Sequence, residues 1–376
     1  MKTIDFIKTN SNWEEVLSQP PYCLTIRKDN NYALLKYNQI ESDFCEPIVK
    51  ECRGLIVDLV TLEPVALSFY KFFNVQEQYA DKIYWKDCRV QEKVDGSKIL
   101  VWFDKYHHIW RISTSGNLDA KNASVNDFGL TFEELFYEAI KNNGFEYSCD
   151  FFQLLDTDYC YTFELVSPYS KVVIPYKETK LYLIGIRSVI NFEEINPNTQ
   201  AISIAIAMPK EYQLNSLKAC LEATEKMGYD EEGFVVVDKY WNRVKIKSPA
   251  YVIAHHLKNN GSVNKEKVIE IIERGEKEEF LGYFPEYERY FDEIEPKREQ
   301  FLEDLHNAVI DIQAKKEEMC FSTRKDFAKY IVDNYKNISR FLFNFIDTDL
   351  LQLFIETQWN KLDLSKKAEY IYKEGQ

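Results

Sequence analysis

The sequence predicts an α+β protein, with antiparallel sheets in its first two thirds and an all-helical remainder. Three observations carry that expectation. Short β-branched and aromatic runs, several alternating with period two and separated by turn residues, dominate residues 51–250. Helical patterns interrupt them only at about 131–143 and 209–227. After Lys258 the texture changes, and apolar residues recur at helical spacing. The length, 376 residues, suggests two domains, and the natural cut leaves 1–258 and 259–376.

In chain order, Asp5 to Leu17 reads as one short helix and Tyr32–Tyr37 as a strand. Strands are further expected at Gly54–Leu59, Arg89–Glu92, Ile99–Phe103, His108–Ser113 and Tyr161–Val166. Leu181–Ile186, Gly233–Val237 and Arg243–Lys247 complete the set. Asn259-Asn260-Gly261-Ser262 is a loop signal at the boundary. Beyond it Phe301, Leu305, Ala308, Val309 and Ile312 fall on one face of a helix. Ser322 or Thr323 reads as the N-cap of the next helix, and Thr348 as the cap of the last long one. No internal repeat is present.

Composition narrows the classes of function. Hydrophobic residues make up 45%, enough for ordinary cores. Aromatic content is 15%, which allows base stacking, although most aromatics fill cores. The net charge of −14 argues against a generic DNA-coating protein and for weak non-specific binding. It leaves room for a local basic site on an acidic body. The 8 cysteines are scattered with no C-x-x-C pair, and adjacent His255 and His256 cannot share a helix face. Free thiols in a reducing compartment and no zinc site are expected. With no signal-peptide core and no apolar run near the roughly 20 residues of a span, the chain reads as cytoplasmic, with no membrane role.

Five segments can carry chemistry. Lys93-Val94-Asp95-Gly96-Ser97 follows the short Arg89–Glu92 run. A lysine becomes nucleophilic when burial or neighbouring cations disfavour its charge, and Gly96 would let the backbone approach a ligand. The competing reading is a surface lysine before a D-G turn. Phe163-Glu164-Leu165-Val166, with Lys171 beyond, puts one carboxylate in an apolar strand. It is either a ligand for a ribose hydroxyl or Mg²⁺, or an edge-strand acid facing solvent. Glu231-Glu232-Gly233 opens another apolar strand with an acid, alternatively a turn residue. In Val244-Lys245-Ile246-Lys247 the two lysines share one face and repel unless an anion such as a triphosphate lies between them. The alternative is a solvated strand face. Upstream, Glu51-Cys52-Arg53-Gly54 and Lys71-Phe72-Phe73-Asn74 offer phosphate binding and purine stacking, or ordinary core-edge packing.

Each signal is modest, but their order is informative. R-G, K-F-F-N, K-x-D-G-S, F-E-L-V, E-G-F-V and V-K-I-K in series resemble the covalent nucleotidyltransferase superfamily of ligases and capping enzymes. Within it the chain is similar to the RNA ligases of the bacteriophage T4 RNA ligase 1 type, over most of its length. That resemblance implies a nucleotidyltransferase (ATP-grasp-like adenylation) domain at 1–258 and a helical domain at 259–376. It implies Lys93 as the adenylated lysine, with Arg53, Lys71, Lys245 and Lys247 on the ATP phosphates. Glu164 and Glu232 would serve the nucleoside and a Mg²⁺ or Mn²⁺ ion. Tyr37, Phe73 and Gly96 join the nucleotide site, and Tyr251 matches a tyrosine needed for ligation. Two departures stand out. Ser115 occupies the place of a basic residue for which Arg111 is the candidate substitute, and the family's acidic metal residue falls in Glu276–Glu279, with Glu278 the expected ligand.

The implied reaction is attack by Lys93 on the α-phosphorus of ATP, transfer of AMP to a 5′-phosphate end, and sealing by a 3′-hydroxyl. Lys247 is expected to help keep Lys93 uncharged. The expected partners are RNA with those ends, broken tRNA-like RNA among them, and an end-healing kinase/phosphatase. A monomer is expected. DNA ligases and capping enzymes usually append a β-rich domain where this tail reads as helix. A DNA ligase, a capping-type guanylyltransferase and an inactive RNA-binding relative are the rival readings. The tail's Lys315, Lys316, Arg324, Lys325 and Lys329 read better as a solvated helix face than as an RNA contact.

Overall fold

Alternating apolar residues do build antiparallel sheets, and helices follow them along the chain. The structure is a computed structural model and describes residues 1–125, 129–199, 206–256, 265–319, 324–336, 338–343, 359 and 361–372. Two compact units divide the chain, Met1–Lys258 and Asn259–Gln376.

In the first unit, strands β1 (Leu24–Asp29), β2 (Tyr32–Tyr37), β3 (Arg53–Asp58) and β4 (Pro64–Ala66) form an antiparallel sheet in that order. A second sheet joins β5 (Phe73–Asn74), β6 (Arg89–Glu92), β14 (Glu211–Tyr212), β15 (Gly233–Val237) and β16 (Arg243–Lys247) in the order β14-β6-β15-β16-β5. Only β5 runs parallel to its neighbour there. The third contains β7 (Ser97–Asp104), β8 (Ile109–Thr114), β11 (Tyr159–Val166), β12 (Lys180–Ser188) and β13 (Glu194–Ile195) in the order β13-β12-β11-β7-β8. A small pair, β9 (Ser124–Val125) and β10 (Leu130–Thr131), leads into the helix Phe132–Asn142. Thr131 and Glu134 close a capping box at that helix start.

Strand β7 shows why its run is apolar throughout. Ile99 and Val101 pack with Phe136, Phe151 and Phe163, while Leu100 and Trp102 pack into the core of the N-terminal sheet. Both faces are covered, so polar alternation disappears. In β15 and β16 alternation survives. Phe234, Val236, Val244 and Ile246 enter a core, and the intervening residues face a cavity.

Two local expectations change. The helix expected from Asp5 to Leu17 is two helices, Lys2–Thr9 and Trp13–Leu17. The Asn10 amide donates to the Phe6 carbonyl, satisfying a helix end with a side chain. The helix expected at 209–227 shortens to Leu217–Thr224, capped by Ser216. Glu211–Tyr212 instead pairs with β6, because an open sheet edge lies beside it.

The second unit is helical where it is described: Lys265–Glu273, Lys277–Tyr283, Glu288–Met319, Arg324–Asn334, Ser339–Leu342 and Leu364–Tyr372. Leu305, Ala308, Val309 and Ile312 are buried on one face, and Phe301 packs against Trp359 and Tyr370. Arg324, Lys325 and Lys329 are exposed. Asn259–Ser262, Ser322, Thr323, Thr348 and the Lys316 side chain lie outside the described residues. Among the described residues no helix is long and apolar enough to cross a membrane, and every described cysteine is a free thiol.

Candidate active site

The K-x-D-G segment leaves β6 while still tied to β15: the Lys93 N–H donates to the Gly233 carbonyl at 2.8 Å. Asp95 then anchors the turn. Its buried carboxylate accepts the N–H groups of Val173 (2.9 Å) and Ile174 (2.8 Å) and the Tyr251 hydroxyl (2.9 Å). Gly96 passes so close to β11 that a Cβ there would lie 2.5 Å from the Leu165 carbonyl oxygen. The backbone therefore has no side-chain room at this point. Lys93 is left pointing into a cavity of about 300 Å³.

Strands from two sheets complete the walls. On β16, Arg243, Lys245 and Lys247 share the face opposite Val244 and Ile246, and all three line the cavity. The Lys93 Nζ lies 2.7 Å from Glu232 Oε1, and the Lys247 Nζ lies 3.7 Å from the same oxygen. Glu232 is 4% exposed, and its other oxygen has no hydrogen-bond partner. It is held there by Gly233, at φ +130°, where a Cβ would fall 2.2 Å from the Ile246 carbonyl oxygen.

Glu164 lies on β11, an interior strand with β12 on one side and β7 on the other, so it is not an edge acid. Burial pushes its carboxyl up to about 7; Lys93, Arg53 and Lys98 pull it down and Glu232 pushes it further up. Directly across on β7 is Lys98. Its ammonium donates to the Arg53 carbonyl at 2.5 Å, and burial, then the Arg53 charge, hold it well below the usual lysine range. The Arg53 guanidinium sits 4.9 Å from the Phe69 ring centre and 5.0 Å from that of Phe72. Its Nη1 is buried without a hydrogen-bond partner. Four lysines, two arginines and two acidic side chains line the cavity, so an acidic chain carries a local basic cluster.

Of the residues singled out in the sequence, Lys93, Gly96, Arg53, Glu164, Lys245 and Lys247 line this cavity, and Glu232 reaches it through Lys93. Others lie elsewhere. Phe73 is 3% exposed, packed between Phe44 and Tyr79; the aromatic rings on the cavity are Phe69 and Phe72. Neighbours along an extended chain point to opposite sides, which separates Phe72 from Phe73. Tyr37 lies beside Arg53 and packs on Phe44. Lys71 lines a neighbouring cavity, donates to Gln39 and covers the Tyr37 and Phe73 rings. Tyr251 is buried behind the lysine turn, where it positions Asp95. Glu278 belongs to the helix Lys277–Tyr283 of the second unit, whereas the cavity lining comes wholly from the first. Arg111 is engaged by Asp104 at 2.6 Å, the Ser115 backbone packs at Gly54, and Lys171 is exposed.

Sequence reasoning missed Lys98, Phe69, Phe72 and Arg243 as lining residues. Lys98 carried a readable signal: a lone charge at the start of an apolar strand, the same signature that marked Glu164. Arg243 carried one too, two residues before Lys245 on the same strand face; Phe69 and Phe72 had none, because their facing depends on partners from other strands. Among the described residues no group of three or more His, Cys, Asp or Glu is placed to hold a metal.

A family model described as RNA ligase matches residues 51–251. An Autographa californica nuclear polyhedrosis virus protein, named a bifunctional polynucleotide kinase/RNA ligase, is 31% identical over 274 residues. That match covers 68% of this chain but only 38% of the viral protein's length. An RNA ligase of Rhodothermus phage RM378 is 26% identical over 351 residues, 75% of this chain and 78% of its own. Among solved structures, an archaeal ATP-dependent RNA ligase aligns at 13% identity and TM-score 0.44, over 66% of this chain and 65% of that one. A Naegleria gruberi RNA ligase mutant with ATP and Mn aligns at 15% identity and TM-score 0.34, over 45% of this chain and 51% of that one.

Proposed function

This chain belongs to the RNA ligase family, and on that premise we propose that it joins 5′-phosphate and 3′-hydroxyl RNA ends with ATP, through an AMP carried on Lys93. The observation that carries the reading is the convergence of Lys93 and Lys247 on one buried Glu232 oxygen, beside Glu164, Arg53 and Lys245. A polyphosphate is an anion suited to that set of cations.

In the first step the Lys93 nitrogen forms a bond to the α-phosphorus, the bond to the bridging oxygen breaks, and pyrophosphate leaves in line. Glu232, already 2.7 Å from the amine, is the acceptor for its proton. Lys245 and Lys247 offset charge on the phosphates, and the open Nη1 of Arg53 offers a further donor. The site also fits a divalent cation. The unpartnered Glu232 oxygen and the Glu164 carboxylate are two hard ligands, and phosphate oxygens and water supply the remainder for Mg²⁺ or Mn²⁺. Such an ion would stabilise negative charge on the phosphates.

AMP then passes to a 5′-phosphate, and a 3′-hydroxyl displaces it. Broken single-stranded RNA of the tRNA type is the substrate class we favour. The viral relative's name couples a kinase to a ligase; for this chain a separate end-healing kinase is the corresponding proposal. Free thiols at the described cysteines suit a reducing, cytoplasmic setting.

The test is mass spectrometry after incubation with ATP and Mg²⁺. One added AMP on Lys93 is expected, absent from Lys93→Ala, together with sealing of single-stranded RNA. Labelling by GTP alone, or RNA sealing by Lys93→Ala, overturns the proposal.

A further inference from the structure

A second cavity, about 490 Å³, adjoins the first and shares Phe72 and Arg243 with it. Its lining mixes cations (Lys50, Lys71, Arg187, Arg243), the carboxylates Asp81, Glu193 and Glu194, and partly or fully exposed rings; Arg243 is paired with Glu194 at 2.6 Å. Tyr70 is 39% exposed and lies under the Arg187 guanidinium, 4.3 Å from ring centre to cation. Arg187 is itself fixed by donating to the Ser68 and Phe192 carbonyls, each at 2.8 Å. Trp241 has guanidinium groups of Arg89 and Arg243 at 5.4 and 5.7 Å from its ring.

The turn that presents Trp241 is costly. Trp241 N–H donates to the Asp238 carbonyl, and Trp241 then takes φ +67°. This is the position of a β-hairpin where glycine is usual. A bulky side chain is rarely found in that conformation, because its Cβ crowds the backbone. Phe192, at φ +65°, reaches the same cavity from another hairpin turn. Two turns thus carry large rings, against backbone preference, to one place.

Direction along β16 connects this place to the chemistry. Lys247 shares Glu232 with Lys93 at one end, Lys245 follows, and Arg243 borders the second cavity at the other. Successive same-face residues are about 7 Å apart. In-line displacement puts Lys93 and the departing pyrophosphate on opposite sides of the α-phosphorus. When the Lys93–phosphorus bond later breaks, the attacking oxygen must enter from the side that pyrophosphate left. With the phosphates on Lys247 and Lys245, as proposed above, that side is the Lys245 end of the row, which continues through Arg243 to the second cavity.

We propose that this second cavity seats the terminal nucleotide of the 5′-phosphorylated RNA strand, its base against Tyr70 and Trp241 and its phosphate at Lys245, beside the Arg243–Glu194 pair. A phosphate oxygen forms the new bond to the adenylyl phosphorus. The phosphorus–nitrogen bond breaks, its electron pair returns to Lys93, and the amine takes up a proton. The inference rests on the ligase reading and adds to it where the donor end binds. Stacking of single-stranded bases on aromatic rings tolerates any sequence.

The test uses full-length protein already carrying AMP. Transfer to a 5′-phosphorylated RNA pentamer is followed in a single turnover against donor concentration, then repeated with a pentamer lacking the base of its 5′ nucleotide. Tyr70→Ala and Trp241→Gly are each expected to form Lys93–AMP normally and to need about tenfold more donor for half-saturation. Removing the base should weaken the unaltered protein equally and the variants little further. Equal saturation by both donors on the unaltered protein overturns the inference, even if a variant fails to fold. A defect confined to the 3′-hydroxyl strand, measured with pre-adenylated donor, overturns it too. Absence of any Lys93–AMP defeats the ligase reading instead, so the two failures are distinct.

Discussion

At the scale of single residues, the site works by placing opposite charges where water is scarce. Glu164 is the clearest case. Its unfolded value is near 4.5 and its folded value about 7, because burial disfavours the carboxylate more than Lys93, Arg53 and Lys98 favour it. Between those values the folded chain holds a proton that the unfolded chain lacks. Stability therefore falls as pH rises from about 4.5 to 7 and levels off above. Glu164→Gln should flatten that slope in denaturant unfolding measured across the window. The same substitution should remove an acidic limb near pH 7 from the rate of Lys93 adenylylation; an unchanged limb would assign it to another group. Glu164 was visible in sequence as a lone charge in an apolar strand, and Lys93 through the K-x-D-G pattern that follows a short strand. Phe73 was chosen over Phe72 because two adjacent rings look alike in a sequence, and only their packing separates them.

At the scale of elements, strand edges hold the lysine turn in contact with β11. Gly96→Ala would drive a methyl group against the Leu165 carbonyl and Glu164 Cγ, neither free to move without parting β11 from the turn. Overpacking of this kind costs about 1–3 kcal/mol or more. At roughly 2–4 °C per kcal/mol for a unit of this size, the melting temperature should drop by several degrees, with AMP transfer to Lys93 falling alongside. Calorimetry paired with a label-transfer assay checks both; a melting temperature within a degree of the parent counts against the close approach. Strands with their own alternation or β-branched run, such as β2, β15 and β16, had boundaries legible in sequence. The stretch 209–227 did not, because Glu211–Tyr212 becomes a strand only by meeting the open edge of β6.

At the scale of the whole molecule, every lining residue of the two cavities belongs to Met1–Lys258, which has its own cores. A fragment of residues 1–258 is therefore expected to fold and to accept AMP on Lys93. We propose that the helical unit serves substrate choice, so joining of RNA ends by that fragment should be impaired. Circular dichroism and single-turnover labelling test the first expectation, and a ligation assay the second. The α+β class and the helical remainder were determined by the sequence itself, since periodicity is a local property of the chain, and the order of its short motifs singled out Lys93 as the candidate nucleophile. That Phe69 and Phe72 rather than Phe73 face the cavity, that Glu164 sits on an interior strand across from Lys98, and that a second cavity opens beyond Arg243 were decided by tertiary structure alone. The physical reason is that a side chain's facing follows from strand pairing between segments far apart in the chain, and its charge from the desolvation and neighbours that pairing brings.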